Sequence, residues 1–71
     1  MSLDMLLLGL LRHRAASGYD LAREIQDEER HLWRASSSQV YATLRRLEQR
    51  GFLSSRSSRS RKGPARRLYS L

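Results

Sequence analysis

The stretch that most constrains this chain is S-S-S-Q-V-Y-A-T-L-R-R-L-E-Q-R-G, from Ser36 to Gly51, because both ends of a helix are written into it. Ser36 and Gln39, three residues apart, fit the reciprocal pattern in which a hydroxyl and a side-chain amide each engage a backbone N–H of the first turn. Gly51 supplies a residue that can turn left-handed after the last turn. At 100° per residue, Val40, Leu44 and Leu47 line one stripe, while Gln39, Ala42, Thr43, Arg46, Gln49 and Arg50 fall on the other side. Residues 37–50 are therefore expected to form a rod of roughly 21 Å, at 1.5 Å per residue, with one core face and one free face of cations and amides. Such a rod fits a major groove about 12 Å wide.

A chain of 71 residues holds at most one domain, here taken as 1–71, and at this size only about 60% of the unfolded surface is buried. There is no cysteine, so neither a disulfide framework nor a thiolate metal site can reinforce the small core. His13 and His31 stand far apart, and neither a metal site nor a cofactor is expected. The formal charge of +7 is unevenly spread: residues 1–33 carry four arginines and six acids, a net −2, and residues 34–71 carry ten basic residues and one acid, a net +9. A polyanion is the natural partner of the second half, because each neutralised phosphate releases condensed counterions.

The apolar run Met5 to Leu11 follows Asp4 and precedes Arg12, His13 and Arg14, the reverse of the charge order of a secretory leader. It is also far short of the roughly 20 residues a membrane span needs, so no membrane partner is expected. The run reads instead as a first helix over about 2–14, with Ser2 as N-cap and Leu3, Leu6, Leu7, Leu10 and Leu11 as its apolar stripe. Met5 and Leu8 project from the opposite side, either as stray surface residues or as a contact surface for another chain. Residues 15–17 then make a short connection. Ser17 and Asp20 open a second helix over about 17–30, with Tyr19, Ala22 and Ile25 on its core side and Leu21 and Leu32 flanking. Asp27, Glu28 and Glu29 make a solvated acidic end, and Trp33 closes the core.

After Gly51, Phe52-Leu53 and Leu68-Tyr69-Ser70-Leu71 flank a tract of fourteen residues with six Arg or Lys and no acid. Gly63-Pro64 marks a turn within it. A disordered Ser/Arg tail that binds RNA would not need to return to L-Y-S-L, so the tract reads as a β-hairpin, with Tyr69 and Leu71 docking on the core. The fold class is mainly α with a small hairpin: a winged helix-turn-helix of three helices and a two-stranded wing over about 52–71.

Four pieces in order, L-L-L-G-L-L, S-G-Y-D-L, W-R-A-S-S-S-Q-V-Y-A-T-L-R-R-L-E-Q-R-G-F-L and K-G-P-A-R-R-L-Y-S-L, cover nearly the whole chain. In them the sequence resembles the N-terminal domain of the PadR family of bacterial transcription regulators. The resemblance implies a sequence-specific repressor or regulator that binds double-stranded operator DNA, with the third helix in the major groove and the wing beside it, on flanking backbone or in the minor groove. It assigns helix contacts to Ser37, Ser38, Gln39, Tyr41, Thr43 and Arg46, and wing contacts to Arg59, Arg61, Lys62, Arg66 and Arg67. Family members continue into C-terminal helices that make the dimer and often frame a small-molecule effector pocket. A homodimer through the first helix and a segment absent from these residues is therefore implied, in the cytoplasm of a bacterium and on its nucleoid.

Side-chain chemistry adds roles to these positions. Gln39 and Arg46 suit base reading, as an amide pairs bidentately with adenine and a guanidinium with guanine. Ser37, Ser38, Arg45 and Arg50 suit phosphates. A different class of function, a protein-interaction module using Met5, Leu8 and the acidic end of the second helix, fits the same fold. An RNA-binding Ser/Arg protein is a third reading. No nucleophile and base stand at a spacing that suggests an enzyme.

Overall fold

A computed structural model of the chain describes residues 2–27, 35–58 and 66–71. The first helix, α1, spans Leu3–Leu11, with the Ser2 hydroxyl accepting from the Met5 N–H at 3.2 Å. It is shorter than the expected 2–14. The Arg12 N–H turns back to the Gly9 carbonyl at 3.3 Å, because three residues later the chain has to be extended. Ala16–Ser17, expected as a mere connection, is a short strand, β1.

Ser17 then serves twice, ending β1 and capping α2 (Gly18–Ile25) by accepting from the Asp20 N–H at 3.0 Å. This helix stops at Ile25 rather than near residue 30, with Gln26 as its C-cap. The Gln26 amide donates to the Ala35 carbonyl at 3.0 Å and to the Ser37 hydroxyl at 3.4 Å, tying the end of α2 to the start of the next helix. The expected core role of Trp33 and the acids Glu28 and Glu29 lie outside the described residues.

The third helix, α3, spans Ser37–Gln49, with both halves of the expected capping box present at Ser36 and Gln39. Its end is a complete Schellman motif. Gly51 sits at φ +84°, its N–H reaches the Glu48 carbonyl at 3.0 Å, and the Phe52 N–H reaches the Leu47 carbonyl at 2.9 Å. The chain then forms β2 (Ser54–Ser58) and β3 (Arg66–Ser70), the antiparallel wing, in a register that runs from Ser54 opposite Ser70 to Ser58 opposite Arg66. β1 pairs on the other side of β3, Ala16 opposite Tyr69 and Ser17 opposite Leu68, so the described sheet has three strands rather than two, with β3 central.

The core gathers Leu7 and Leu11 of α1, Leu21, Ala22 and Ile25 of α2, Val40, Leu44 and Leu47 of α3, and Leu53 and Tyr69 from the wing root. Three expectations are corrected by the packing. Leu21 takes the core position expected of Tyr19, which is 47% exposed, because Gly18, Leu21, Ala22 and Ile25 share the buried stripe of α2. Leu8 is partly buried against the core rather than projecting away, so of the suggested outer strip of α1 only Met5 stands clear, 63% exposed. Leu71, expected to dock, is exposed, as is Phe52, while Tyr69 docks as expected, together with Leu53.

One close approach governs how the helices cross. A Cβ built on Gly18 would fall 2.9 Å from Cδ1 of Tyr41 and nearer still to Cε1, so the ring lies directly on the α2 backbone. Gly18→Ala is expected to cost about 1–3 kcal/mol in urea unfolding, as overpacking does. Gly51→Ala, with open space around it but a left-handed backbone, should cost about 1–2 kcal/mol. Equal stability of either variant and the parent would contradict the corresponding contact.

Candidate nucleic-acid interface

Between α3, β3 and the start of α2 the surface opens into a cleft of ≈ 650 Å³, lined by Tyr19, Tyr41, Arg45, Gln49, Arg66 and Arg67, with Ser17, Gly18, Glu48 and Tyr69 completing it. Three guanidiniums and three phenol rings therefore meet at one seam. The capped start of α2 supplies Tyr19, one flank of α3 supplies Tyr41 and Arg45, and the wing supplies Arg66 and Arg67.

The seam is ordered by specific contacts. The Tyr19 ring has the Arg66 guanidinium 5.0 Å from its centroid and that of Arg23 at 5.7 Å, cation–π contacts each worth about 0.5–1 kcal/mol at exposed sites. Tyr19 thereby ties α2 to the outer end of the described wing, where Arg66 pairs with Ser58, a role the helix wheel concealed by assigning it to the core. A paired signal was present, since Tyr19 and Arg23 stand at the i, i+4 spacing of helix neighbours. Behind two of the lining residues the Ser55 hydroxyl donates to the Glu48 carboxylate, and the Ser55 oxygen accepts from Arg67 Nη1 at 2.8 Å. Burial pushes the Tyr69 phenol above its ordinary pKa and the Glu48 charge adds to that, with Arg67 and Arg45 pulling the other way.

On α3 the buried positions are Val40, Thr43, Leu44 and Leu47, so the direction straight away from the core runs through Ser38, Ala42, Arg45 and Gln49. Thr43 is a correction. It is buried, and its hydroxyl donates to the Gln39 carbonyl at 2.8 Å, because α1 packs against that flank. Arg46 lies on the same flank. Its Nη2 contacts both Asp4 carboxylate oxygens at 2.6 and 2.7 Å, joining α3 to α1. The Gln39 side-chain oxygen accepts the Ser36 N–H at 2.8 Å. The two side chains expected to read bases are thus both engaged within the fold.

Ser37 accepts from Gln26, whereas Ser38 and Arg45 are exposed and Arg50 is an exposed C-cap. Tyr41 is half-buried in the cleft wall. Arg66 and Arg67 are exposed at its rim, and Arg59, Arg61 and Lys62 lie outside the described residues. Gln49, overlooked as a contact, stands in the outward stripe and in the cleft. No helix among the described residues is long and apolar enough to cross a membrane.

The model of the transcriptional regulator PadR-like family matches residues 7–71. The negative transcriptional regulator PadR of Bacillus subtilis (strain 168) is 34% identical over 65 residues, 92% of this chain and 36% of that protein. A probable transcriptional regulator of Mycobacterium tuberculosis is 30% identical over 71 residues, all of this chain and 38% of that protein. The crystal structure of Bacillus subtilis PadR in complex with operator DNA superposes with a TM-score of 0.86 at 33% identity, over 97% of this chain and 39% of that one. The chain thus spans little more than a third of the length of these curated relatives.

The buried phenol of Tyr69 gives the seam a titration. Its raised pKa makes ionisation costlier in the folded than in the unfolded chain. Its contribution to stability is therefore complete below about pH 10 and is lost as pH rises through the raised folded value. In urea titrations at alkaline pH, Tyr69→Phe should flatten this fall; an unchanged slope would contradict the burial of the hydroxyl.

Proposed function

The chain belongs to the transcriptional regulator PadR-like family, and from that premise we propose that it is a sequence-specific DNA-binding regulator that represses by occupying an operator. The observation that carries the proposal is the cationic seam between α3 and the wing, with the outward stripe of α3 beside it. A helix in the major groove with a wing alongside leaves one DNA strand's backbone running between them. The seam meets that strand with Arg66 and Arg67 and with the hydroxyl of Tyr41.

Base edges fall to the outward stripe, where Arg45 and Gln49 carry the donors and acceptors of major-groove reading, Ala42 leaves room for a thymine methyl and Ser38 reaches the backbone. Ser37 and Arg50 extend the phosphate contacts at the two ends of the helix. Gln39 and Arg46 contribute only as far as their bonds to Ser36 and Asp4 allow. Arg59, Arg61 and Lys62 add charge to the wing and strengthen binding without selecting sequence.

The name of the Bacillus subtilis relative, a negative regulator, supports repression, and its structure with operator DNA supports a duplex as partner. The proposal includes a homodimer through α1 and a segment outside these residues, a small-molecule effector acting on that segment, and residence on the nucleoid in the bacterial cytoplasm. A homodimer places two α3 helices on half-sites one or more helical turns apart, so the 71-residue chain alone should bind weakly.

The test is fluorescence anisotropy with a duplex selected from a randomised library and a scrambled duplex of the same length. The log affinity for both should fall with log salt by about 0.9 per neutralised phosphate, and the selected duplex should keep its advantage. Arg45→Ala is expected to cost the selected duplex about 1–3 kcal/mol, and Thr43→Val to leave binding unchanged. Equal affinity for both duplexes at every salt concentration would sink the proposal.

A further inference from the structure

Residues 34–71 contain ten basic side chains and a single acid, Glu48. That acid lines the seam that the preceding reading assigns to a phosphate backbone. A carboxylate there repels the ligand, so bare electrostatics makes it a liability for DNA binding. Its contacts give it another task.

β2 reads Ser-Ser-Arg-Ser-Ser and has no apolar side chain to seat on the core. Among the described residues, the wing places its buried apolar side chains on the core at its root, through Leu53 and Tyr69. The polar relay from Arg67 to Ser55 to Glu48 crosses from β3 to β2 to α3, whereas the side-chain hydrogen bond between Ser54 and Ser70 at 3.3 Å stays within the wing. Ser55 can take both places in the relay because a hydroxyl donates one hydrogen bond and accepts others. With one Nη1 hydrogen committed to Ser55, the Arg67 guanidinium keeps further donors for a phosphate and loses rotational freedom.

We infer that Glu48 is a positioning residue that fixes the wing and Arg67 relative to α3, so that the seam is set for one geometry of DNA backbone and discriminates between duplexes. The inference rests on the DNA-binding reading for its consequence and on the relay alone for its mechanism. Glu48 therefore gives up non-specific affinity and contributes to specificity. These two effects have opposite signs, which separates them experimentally.

The experiment compares the 71-residue chain with its Glu48→Gln, Ser55→Ala and doubly substituted variants. If Glu48 acted only through its charge, Glu48→Gln would tighten binding of the selected and scrambled duplexes by the same factor, and Ser55→Ala would do nothing. Positioning predicts that Glu48→Gln lowers the preference for the selected duplex by about tenfold, the scale of one charge-assisted hydrogen bond. Ser55→Ala should lower it at least as much, and the double variant no further than Ser55→Ala, because both act on the same relay: the Gln oxygen can accept from Ser55 only through a neutral hydrogen bond, and Ser55→Ala removes the link altogether.

Two readouts independent of DNA accompany these. Amide hydrogen exchange in β2 and β3 should quicken in each single variant, and the alkaline absorbance titration of Tyr69 should move to lower pH in Glu48→Gln, where one source of its elevation is gone. Uniformly tighter binding, or unchanged exchange in the wing, overturns the inference. A parent chain without preference for any duplex defeats the regulator reading instead, and the exchange rates then decide the anchoring of the wing by themselves.

Discussion

At Gly18 the backbone of α2 lies against the Tyr41 ring with no room for a Cβ between them, and much of the molecule follows from that approach. It brings α3 down onto the first turn of α2 beside the Ser17 cap, so that the apolar stripes of both helices meet α1 in one small core. The same contact holds Tyr41 half out of the core, as a wall of the seam rather than a core residue. With so little surface to bury, a chain of this length has few alternative packings that would compensate for losing it.

The helix that anchors the sequence reading, its capping box and its left-handed glycine appear in the structure as the residues dictate, because these are local interactions spanning three to five positions. The wing was legible from a different feature, the return to an apolar Leu68-Tyr69 after a long cationic tract. What could not be read was set by partners distant in sequence. Ala16 looks like a loop residue until its pairing with Tyr69 is known. Thr43 looks free on a helix wheel until α1 covers that flank, and Arg46 looks like a base reader until Asp4, forty-two positions earlier, is found beside it. Tyr19 illustrates the reverse error, an aromatic assigned to the core that is spent on holding two arginines.

Charge in this molecule is organised at two scales. Over the whole chain the second half is strongly basic, which provides long-range attraction to a polyanion and steers encounter. Within a few ångströms the cations are sorted: Arg46 is committed to Asp4, Arg67 is steadied through Ser55, and Arg66 rests on a ring. Net charge alone would predict a surface that sticks to any nucleic acid. The sorting restricts which guanidiniums are free and where they point, and that restriction is what a discriminating surface requires beyond attraction.

The central place of β3 in the sheet also has a bearing on time. The strand that both β1 and β2 need as a neighbour is among the last segments of this stretch to be made. During synthesis from the N-terminus, all three helices are made before β3, while Ala16 and Ser17 wait about fifty residues for Tyr69 and Leu68. Until then β1 is an unpaired edge and the first turn of α2 has no wing beside it. The surface that would grip DNA is thus completed only once β3 has been made, so the nascent chain has its helices before it has its cationic seam.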